Sequence, residues 1–309
     1  MKNINYIILF FVLLLAMGSC KSTKGISTEK RYLREARKGN VEAMNNLAAF
    51  YYYQDNYSKA EKYWLRAAEK GNIDALLNLG ISNYEQGNFQ EAEKYWLQSI
   101  EKGDVRAMRS LGVMYKKQGR TAEAEKLFLQ AAEEGDATVA CNLAYSYYEQ
   151  GNYAEAEKYW LQAAENGDVI SIYNLGTLAL EQSNYAKAVE YLQRRIEINS
   201  DDASPYGNLS FSYIFTKDYK KSEQSALKGL SIDSTKTWIK TNLAAALLFQ
   251  NRYEEAKNIY LKISEESCLD MSCAEMCLED FGEYEKAGVI PKNQKENVEK
   301  IRQLLRSGN

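Results

Sequence analysis

The chain has 309 residues, of which 45% are hydrophobic, a formal net charge of −3 and no histidine. The small net charge excludes a dominant basic patch, so we expect no nucleic-acid partner. The absence of histidine excludes serine–histidine and cysteine–histidine nucleophile systems and removes the commonest side-chain metal ligand. Paired carboxylates occur only at ordinary helix-surface spacings. We therefore expect a protein that is not an enzyme, with no cofactor and no bound metal.

Residues 1–20 have the pattern of an export signal. Lys2 precedes an apolar run from Tyr6 to Met17, and small residues follow. The run is too short to span a membrane comfortably. Its end, "MGSC", resembles a bacterial lipobox, and the resemblance implies cleavage before Cys20 and attachment of acyl chains to that residue. We therefore predict a lipoprotein signal peptide over 1–19 and a lipid-anchored tether over 20–27. A plain signal peptide with an incidental cysteine is the alternative.

The lipobox resemblance also implies a location in the cell envelope of a Gram-negative bacterium. In such lipoproteins an aspartate directly after the lipidated cysteine often marks retention in the inner membrane, whereas here "KSTKGIS" follows Cys20. We therefore expect an outer-membrane anchor with the protein facing the periplasm. Display on the cell surface is the alternative. Several acyl chains anchor a protein stably where a single chain does not.

The remainder of the chain is built from internal repeats. The stretch "EKYWLRAAEKGN", which begins at Glu61, recurs in near-copies at Glu93, Glu125 and Glu157, each 32 residues after the last. A leucine series keeps the same phase and lengthens its last two steps to 34: Leu47, Leu79, Leu111, Leu143, Leu175, Leu209 and Leu243. Seven units are therefore predicted over residues 41–266.

Each unit has the pattern of two helices. In the first unit Ala60, Tyr63 and Trp64 begin an apolar stripe at helical spacing. Gly71 then supplies a left-handed helix end, and Asn72 caps the following helix. One such pair cannot bury its apolar stripe alone, so neighbouring pairs must stack. The sequence therefore predicts an all-α solenoid of about seven helix-turn-helix repeats.

The repeat resembles the tetratricopeptide repeat. A small residue follows the first-helix leucine, as at Gly80 and Gly112, alanine comes at plus 13, and an aromatic residue comes at plus 17, as at Trp64 and Trp96. The 32-residue units that end in "KGD" look like the related Sel1-like repeats. The resemblance implies a right-handed α-solenoid that binds other proteins. We also predict terminal caps: a capping helix over 28–40, and a partial repeat with a capping helix over 267–309.

In this family ligands lie in a concave groove lined by the first helices. The position before each leucine reaches the rim of the groove, and it reads Asn46, Asn78, Ser110, Asn142, Asn174, Asn208 and Asn242. A carboxamide offers a donor and an acceptor that match a peptide group. We therefore expect an asparagine ladder that holds an extended peptide by its backbone. Asparagines that bond between adjacent helices are the alternative.

The other groove positions change along the chain. The third repeat carries a basic band with Arg106, Arg109, Lys116 and Lys117, and the later repeats become apolar and aromatic. The predicted binding residues are Asn142, Tyr145, Tyr173, Asn174, Asn208, Phe211, Phe215, Asn242 and Phe249. Exposed aromatic patches usually bind a partner. Burial of these residues by tight curvature, or by the carboxyl-terminal segment folding back, is the alternative.

The cysteines indicate structure rather than chemistry. Cys277 lies 34 residues after Leu243, at a core position of the repeat. In an oxidising compartment a disulfide among Cys268, Cys273 and Cys277 is compatible with the spacing, and the pair Cys268–Cys273 is favoured because Cys273 and Cys277 are poorly placed within one regular helix. No fourth ligand for zinc is present.

Together these features predict a non-enzymatic scaffold or adaptor of the bacterial cell envelope. It would bind a peptide segment of another envelope protein in its groove and attach to the membrane through its amino-terminal lipid, without a small-molecule cofactor. A glycan- or cell-wall-binding accessory lipoprotein is the alternative. The placement of most tryptophans at core positions of the second helices counts against that alternative.

Overall fold

The computed structural model describes residues 23–264 and 272–307, and over these residues the chain forms seventeen α-helices, one short 3-10 helix and no β-strand. The all-α prediction is confirmed. The predictions for the signal peptide, Cys20 and Cys268 fall outside the described residues. None of the described helices has the length and apolar character needed to cross a membrane.

The chain divides into two compact units, residues 1–134 and 135–309. The helices of the first unit are α1 Thr23–Arg37, α2 Val41–Tyr52, α3 Tyr57–Glu69, α4 Ile73–Glu85, α5 Phe89–Ile100, α6 Val105–Lys117 and α7 Thr121–Glu133. Those of the second are α8 Ala137–Glu149, α9 Tyr153–Glu165, α10 Val169–Glu181, α11 Tyr185–Ile198, α12 Ala203–Phe215, α13 Tyr219–Ile232, α14 Thr237–Phe249, α15 Tyr253–Ser264, α16 Cys273–Lys286 and α17 Lys295–Ser307, with the 3-10 turn at Lys292–Gln294.

Within each unit the helices pack in pairs, as the repeat predicts. The pairs α2–α3, α4–α5 and α6–α7 form the first three repeats, and the pairs from α8–α9 to α14–α15 form the last four. The chain is thus an α-solenoid of helix-turn-helix repeats. Helix α1 packs on α2, in the place expected of a capping helix. It begins at Thr23 rather than at residue 28, because no proline interrupts the stretch that was expected to be a tether.

The helix ends follow from local chemistry. The side chain of Asn72 accepts a hydrogen bond from the backbone N–H of Ala75 at 2.7 Å, and Asp168 caps α10 through the N–H of Ser171 at 2.7 Å. Gly71, between α3 and α4, has φ of +90°, a left-handed conformation that favours glycine. The repeated glycine–asparagine and glycine–aspartate dipeptides therefore set the boundaries of the helices.

The two helices of a pair make close contact where the first helix carries a small residue. A Cβ atom added at Gly80 would lie 2.2 Å from the indole nitrogen of Trp96, and one at Gly112 would lie 2.6 Å from the ring of Phe128. Trp96 itself is buried. The absence of a side chain at Gly80 therefore makes room for the large aromatic residue of α5, and this contact fixes the spacing of the pair.

Replacement of Gly80 by alanine is expected to lower the free energy of unfolding by about 1–3 kcal/mol, because the added methyl group overpacks the contact with Trp96. Gly282, in α16, is the matched control, since an added Cβ there meets nothing within 4 Å. Gly282→Ala should leave stability unchanged or raise it by about 0.5–1 kcal/mol. Urea unfolding of both variants measures the difference, and an equal effect would contradict the packing argument.

Candidate functional site

The predicted binding residues lie on the first helices of the second unit. They occupy α8 (Asn142 and Tyr145), α10 (Tyr173 and Asn174), α12 (Asn208, Phe211 and Phe215) and α14 (Asn242 and Phe249). In the structure these residues do not form one continuous accessible surface. The residues of α8 and α10 are exposed or half-buried, whereas Phe215, Asn242 and Phe249 are buried.

The surface on α8 and α10 remains accessible, and we call it the open face: Asn142, Tyr145, Ile170, Tyr173 and Asn174. Tyr145 is 54% exposed and Ile170 is 64% exposed. Ile170 is outside the predicted binding set, although it occupies a groove position of its repeat. The two helices are adjacent, because a hydrogen bond joins Tyr148 on α8 to Glu181 on α10. The open face therefore combines apolar area with carboxamides.

A hydrogen bond joins the two repeats at the edge of the open face. The hydroxyl of Tyr148 on α8 donates to a carboxylate oxygen of Glu181 on α10 at 2.5 Å. This bond, followed by burial, raises the pKa of Tyr148 to about 12. Tyr148 therefore stays neutral at physiological pH and holds the two first helices together beside the open face.

Several rim asparagines serve the stacking of repeats. The amide of Asn208 donates to the hydroxyl of Tyr173 on α10 at 3.1 Å, and the amide of Asn242 donates to the carbonyl of Gly207 on α12 at 3.1 Å. In the first unit the amide of Asn78 donates to Asn45 at 3.2 Å. For these three asparagines the structure shows the alternative arrangement, in which carboxamides bond between adjacent helices. Asn142 is exposed and Asn174 is half-buried, so the ladder of potential ligand contacts in the second unit shortens to those two, and Asn46 of the first unit is also half-buried.

The aromatic end of the predicted groove is covered by α16. We call Phe211, Phe215 and Phe249 the aromatic patch. The ring of Tyr284 on α16 lies 5.5 Å from Phe215, 5.7 Å from Phe249 and 6.3 Å from Phe211, measured between ring centroids. Phe215 is 9% exposed and Phe249 is 5% exposed. The carboxyl-terminal segment therefore folds back over Phe215 and Phe249, whereas Phe211 is half-buried.

The buried side of α16 contains polar groups as well as apolar ones. The hydroxyl of Tyr284 is buried and has no hydrogen-bond partner within the described residues. Loss of hydration and, after it, the neighbouring Glu283 raise the pKa of Asp280 to about 7, while the nearby Thr241 on α14 opposes the increase. Burial raises the pKa of the Cys277 thiol to about 12. Cys277 is a free thiol, whereas Cys273 is disulfide-bonded.

The basic band of the third repeat is largely engaged with other residues of the first unit. The guanidinium of Arg106 pairs with Asp104 at 2.8 Å and with Asp74 at 2.6 Å. The ammonium of Lys117 donates to the hydroxyl of Tyr84 at 2.8 Å. The band is therefore a weaker positive surface than the sequence predicts. The described residues contain no group of three or more cysteine, aspartate or glutamate side chains arranged to hold a metal ion.

Comparison with known families places these helices in a repeat class. A family model described as a tetratricopeptide repeat matches residues 46–104, 77–138 and 141–204, and a second model with the same description matches residues 203–236. These matches confirm the resemblance found in the sequence. No curated protein matches the chain significantly.

Solved structures of repeat proteins are similar in fold. YrrB, described as a TPR protein with an unusual peptide-binding site, is 16% identical, with 62% of this chain and 95% of that chain covered and a TM-score of 0.46. PilF of Pseudomonas aeruginosa is 19% identical over 62% and 90% of the two chains, with a TM-score of 0.42. The antigen c5321 of uropathogenic Escherichia coli, described as having an SLR fold, is 17% identical over 98% and 79%, also with a TM-score of 0.42.

Asn242→Ala is expected to lower the free energy of unfolding by about 0.5–1.5 kcal/mol, because it removes a buried hydrogen bond to the carbonyl of Gly207, which keeps only the backbone bond of its own helix. Asn142→Ala is the matched control, since the exposed carboxamide should contribute less than about 0.5 kcal/mol. Urea unfolding of each variant measures both effects. Equal losses of stability would mean that Asn142 also has a structural role.

Asp280→Asn is expected to change how stability depends on pH. Because the pKa of Asp280 is raised to about 7 in the folded protein from an ordinary value of 3.8, the folded state favours the protonated acid, and stability is lost as pH rises through this window. The variant should therefore be more stable than the wild type at pH 8, by about 1–2 kcal/mol, and should match it near pH 4.

Urea unfolding monitored by tryptophan fluorescence at pH 4, 6 and 8 measures this difference. Glu254→Gln, on the exposed side of α15, is the control for loss of one negative charge. If the wild type and Asp280→Asn lose stability equally between pH 4 and 8, the titration of Asp280 is not the cause.

Proposed function

The chain belongs to the tetratricopeptide repeat family, and from that premise we propose that it is a non-enzymatic scaffold of the bacterial cell envelope that binds a peptide segment of another envelope protein on its open face. Repeats of this family support a protein–protein interaction scaffold. The observation that carries the finer proposal is the exposure of Tyr145 and Ile170 on two adjacent first helices.

The chemistry of the open face suits an extended peptide. Tyr145 and Ile170 offer apolar area to side chains, and tyrosine is enriched among the residues that dominate binding energy at protein interfaces. Asn142 and Asn174 offer donors and acceptors that match a peptide backbone. Backbone recognition of this kind places little demand on the sequence of the partner, so specificity would come from the apolar contacts.

The envelope location is proposed from the amino terminus. The "MGSC" stretch that ends at Cys20 resembles a lipobox, and lipid attachment there would anchor the scaffold to the outer membrane facing the periplasm. An anchor confines the scaffold and its partner to one surface, which raises their effective concentration. The repeats would then recruit the partner to the membrane.

Glycan binding is a second candidate, favoured by exposed rings at the start of second helices. Tyr57 packs against Tyr52, Phe89 against Tyr84 and Tyr153 against Tyr148, each with 5.6 Å between centroids. Tyr57, Phe89 and Tyr153 are all exposed. Aromatic rings of this kind stack on sugars, but these three lie outside the open face. Cell-wall pull-down with Phe89→Ala tests this candidate separately.

A photocrosslinking residue placed at Tyr145 should capture the partner in intact cells, whereas one at Leu227 on α13 should not. Leu227 is the matched control because it is 50% exposed but lies on a second helix. Mass spectrometry of the crosslinked product identifies the partner segment. Equal capture at both positions, or capture at Leu227 alone, would contradict binding at the open face.

Cys20→Ser is expected to remove the protein from the membrane fraction, because serine cannot form the thioether to the lipid. Labelling with a radioactive fatty acid and fractionation of the cells measure the change. Cys141→Ser is the control for loss of a thiol. Continued membrane association and labelling of the Cys20 variant would show that the anchor is elsewhere.

A further inference from the structure

Helix α16 buries one stripe of its surface against the last repeats. Its buried residues are Cys273, Ala274, Cys277, Phe281 and Tyr284, which are spaced as one face of an α-helix. Tyr284 meets the aromatic patch on α12 and α14. The rings of that patch occupy first-helix positions that the repeat pattern assigns to ligand contact. Helix α16 therefore lies where a bound helix would lie.

The placement of α16 differs from that of a regular first helix. Asn242 on α14 bonds to Gly207 on α12, and Asn208 on α12 bonds to Tyr173 on α10, so these first helices contact the repeat before their own. Tyr284 contacts rings of both α14 and α12. Because α16 crosses two repeats, it acts as a cover over the aromatic patch and not as the next unit of the stack.

Two polar groups make this cover less stable than an apolar one. The hydroxyl of Tyr284 is buried without a hydrogen-bond partner within the described residues, and an unsatisfied buried hydroxyl destabilises the state that contains it. Asp280 is half-buried, and burial together with the neighbouring Glu283 disfavours its charged form in this position. A helix with apolar side chains in place of the Tyr284 hydroxyl and the Asp280 carboxylate would cover the end of the core without these two costs.

We propose that α16 is an intramolecular ligand of the aromatic patch through Tyr284, and that a partner helix that offers an aromatic side chain at the place of Tyr284 displaces it. This inference extends the proposed function, since it requires that the protein binds partner segments, but it concerns a surface separate from the open face.

The test uses a fluorescent peptide with the sequence of residues 273–286, in which both cysteines are replaced by alanine. The peptide is titrated against the full chain carrying Tyr284→Ala, which weakens the cover but leaves the aromatic patch intact. We expect it to bind this variant at least tenfold more tightly than the wild type. A peptide that also lacks the tyrosine should bind at least tenfold more weakly than the intact peptide.

Leu305→Ala is the matched control, because Leu305 on α17 is buried in the same apolar cluster but, unlike Tyr284, has no ring that packs on the aromatic patch. It should bind the peptide no more tightly than the wild type. The proposal is overturned if the Tyr284→Ala chain is folded by circular dichroism and does not gain binding, or if Leu305→Ala gains as much. Either outcome would make α16 a plain structural cap.

Tyr284→Phe gives a second measurement that does not depend on a destabilised variant. It keeps the ring and removes only the unpaired hydroxyl, so the cover should open less often. In a Cys141→Ser background, alkylation of the buried Cys277 reports opening of α16. We expect Tyr284→Phe to slow this reaction at least threefold, and an unchanged or faster rate would overturn the proposal. Crosslinking at Tyr145 tests the open face independently of both results.

Discussion

The structure depends on the close contact between the two helices of each repeat. Where the first helix carries a glycine, the large side chain of the second helix fills the space that a Cβ would occupy, as Trp96 does against Gly80 and Leu192 does against Gly176. Because of this contact the two helices of a pair pack tightly, and one apolar side of the first helix is buried against the second helix. The opposite side of the first helix is then left for contacts between repeats or with a ligand. The location of any binding surface is thus a consequence of how the pair packs.

Contacts between repeats and contacts with a ligand compete for the same side chains. The first helices are joined by polar bonds that recur about one repeat apart, including those of Tyr52 with Glu85 and of Tyr148 with Glu181. Asn208 and Asn242 are used in the same way. A carboxamide that bonds to the preceding repeat has fewer groups left for a peptide. The open face persists on α8 and α10 because Asn142 and Tyr145 remain exposed there.

Much of the fold follows from the period of the sequence, and much of the site does not. The leucine and alanine series fix the helix pairs, and the asparagine and aspartate caps fix where helices begin, because both effects are local. The role of an asparagine at the rim is not local. Asn142 and Asn242 occupy the same position of the repeat, yet one is exposed and the other is 2% exposed and bonded to Gly207. Only the position of the neighbouring helix distinguishes them.

For the same reason, the 32- or 34-residue period of the sequence does not predict that α16 covers the aromatic patch. The spacing places Cys277 at a core position, and Cys277 is buried. The path of α16 across two repeats, however, depends on contacts between residues far apart in sequence. The hydroxyl of Tyr219 donates to the carbonyl of Val289 at 2.6 Å, across 70 residues. No repeat of 32 or 34 residues encodes a contact at that separation.

The segment after α16 is held by bonds that do not involve the aromatic patch. Val289 is bonded to Tyr219 on α13, and the amide of the buried Gln294 donates to Asn251 at 3.0 Å. Val298 and Ile301 on α17 are buried in the same apolar cluster. A cover anchored in this way stays at a high effective concentration beside its site, so a competing helix must bind the patch more tightly than α16 does. The unpaired hydroxyl of Tyr284 lowers the affinity that a competing helix needs. A competing aromatic side chain that has no hydroxyl, or whose hydroxyl is hydrogen-bonded, avoids the cost of a buried unpaired hydroxyl.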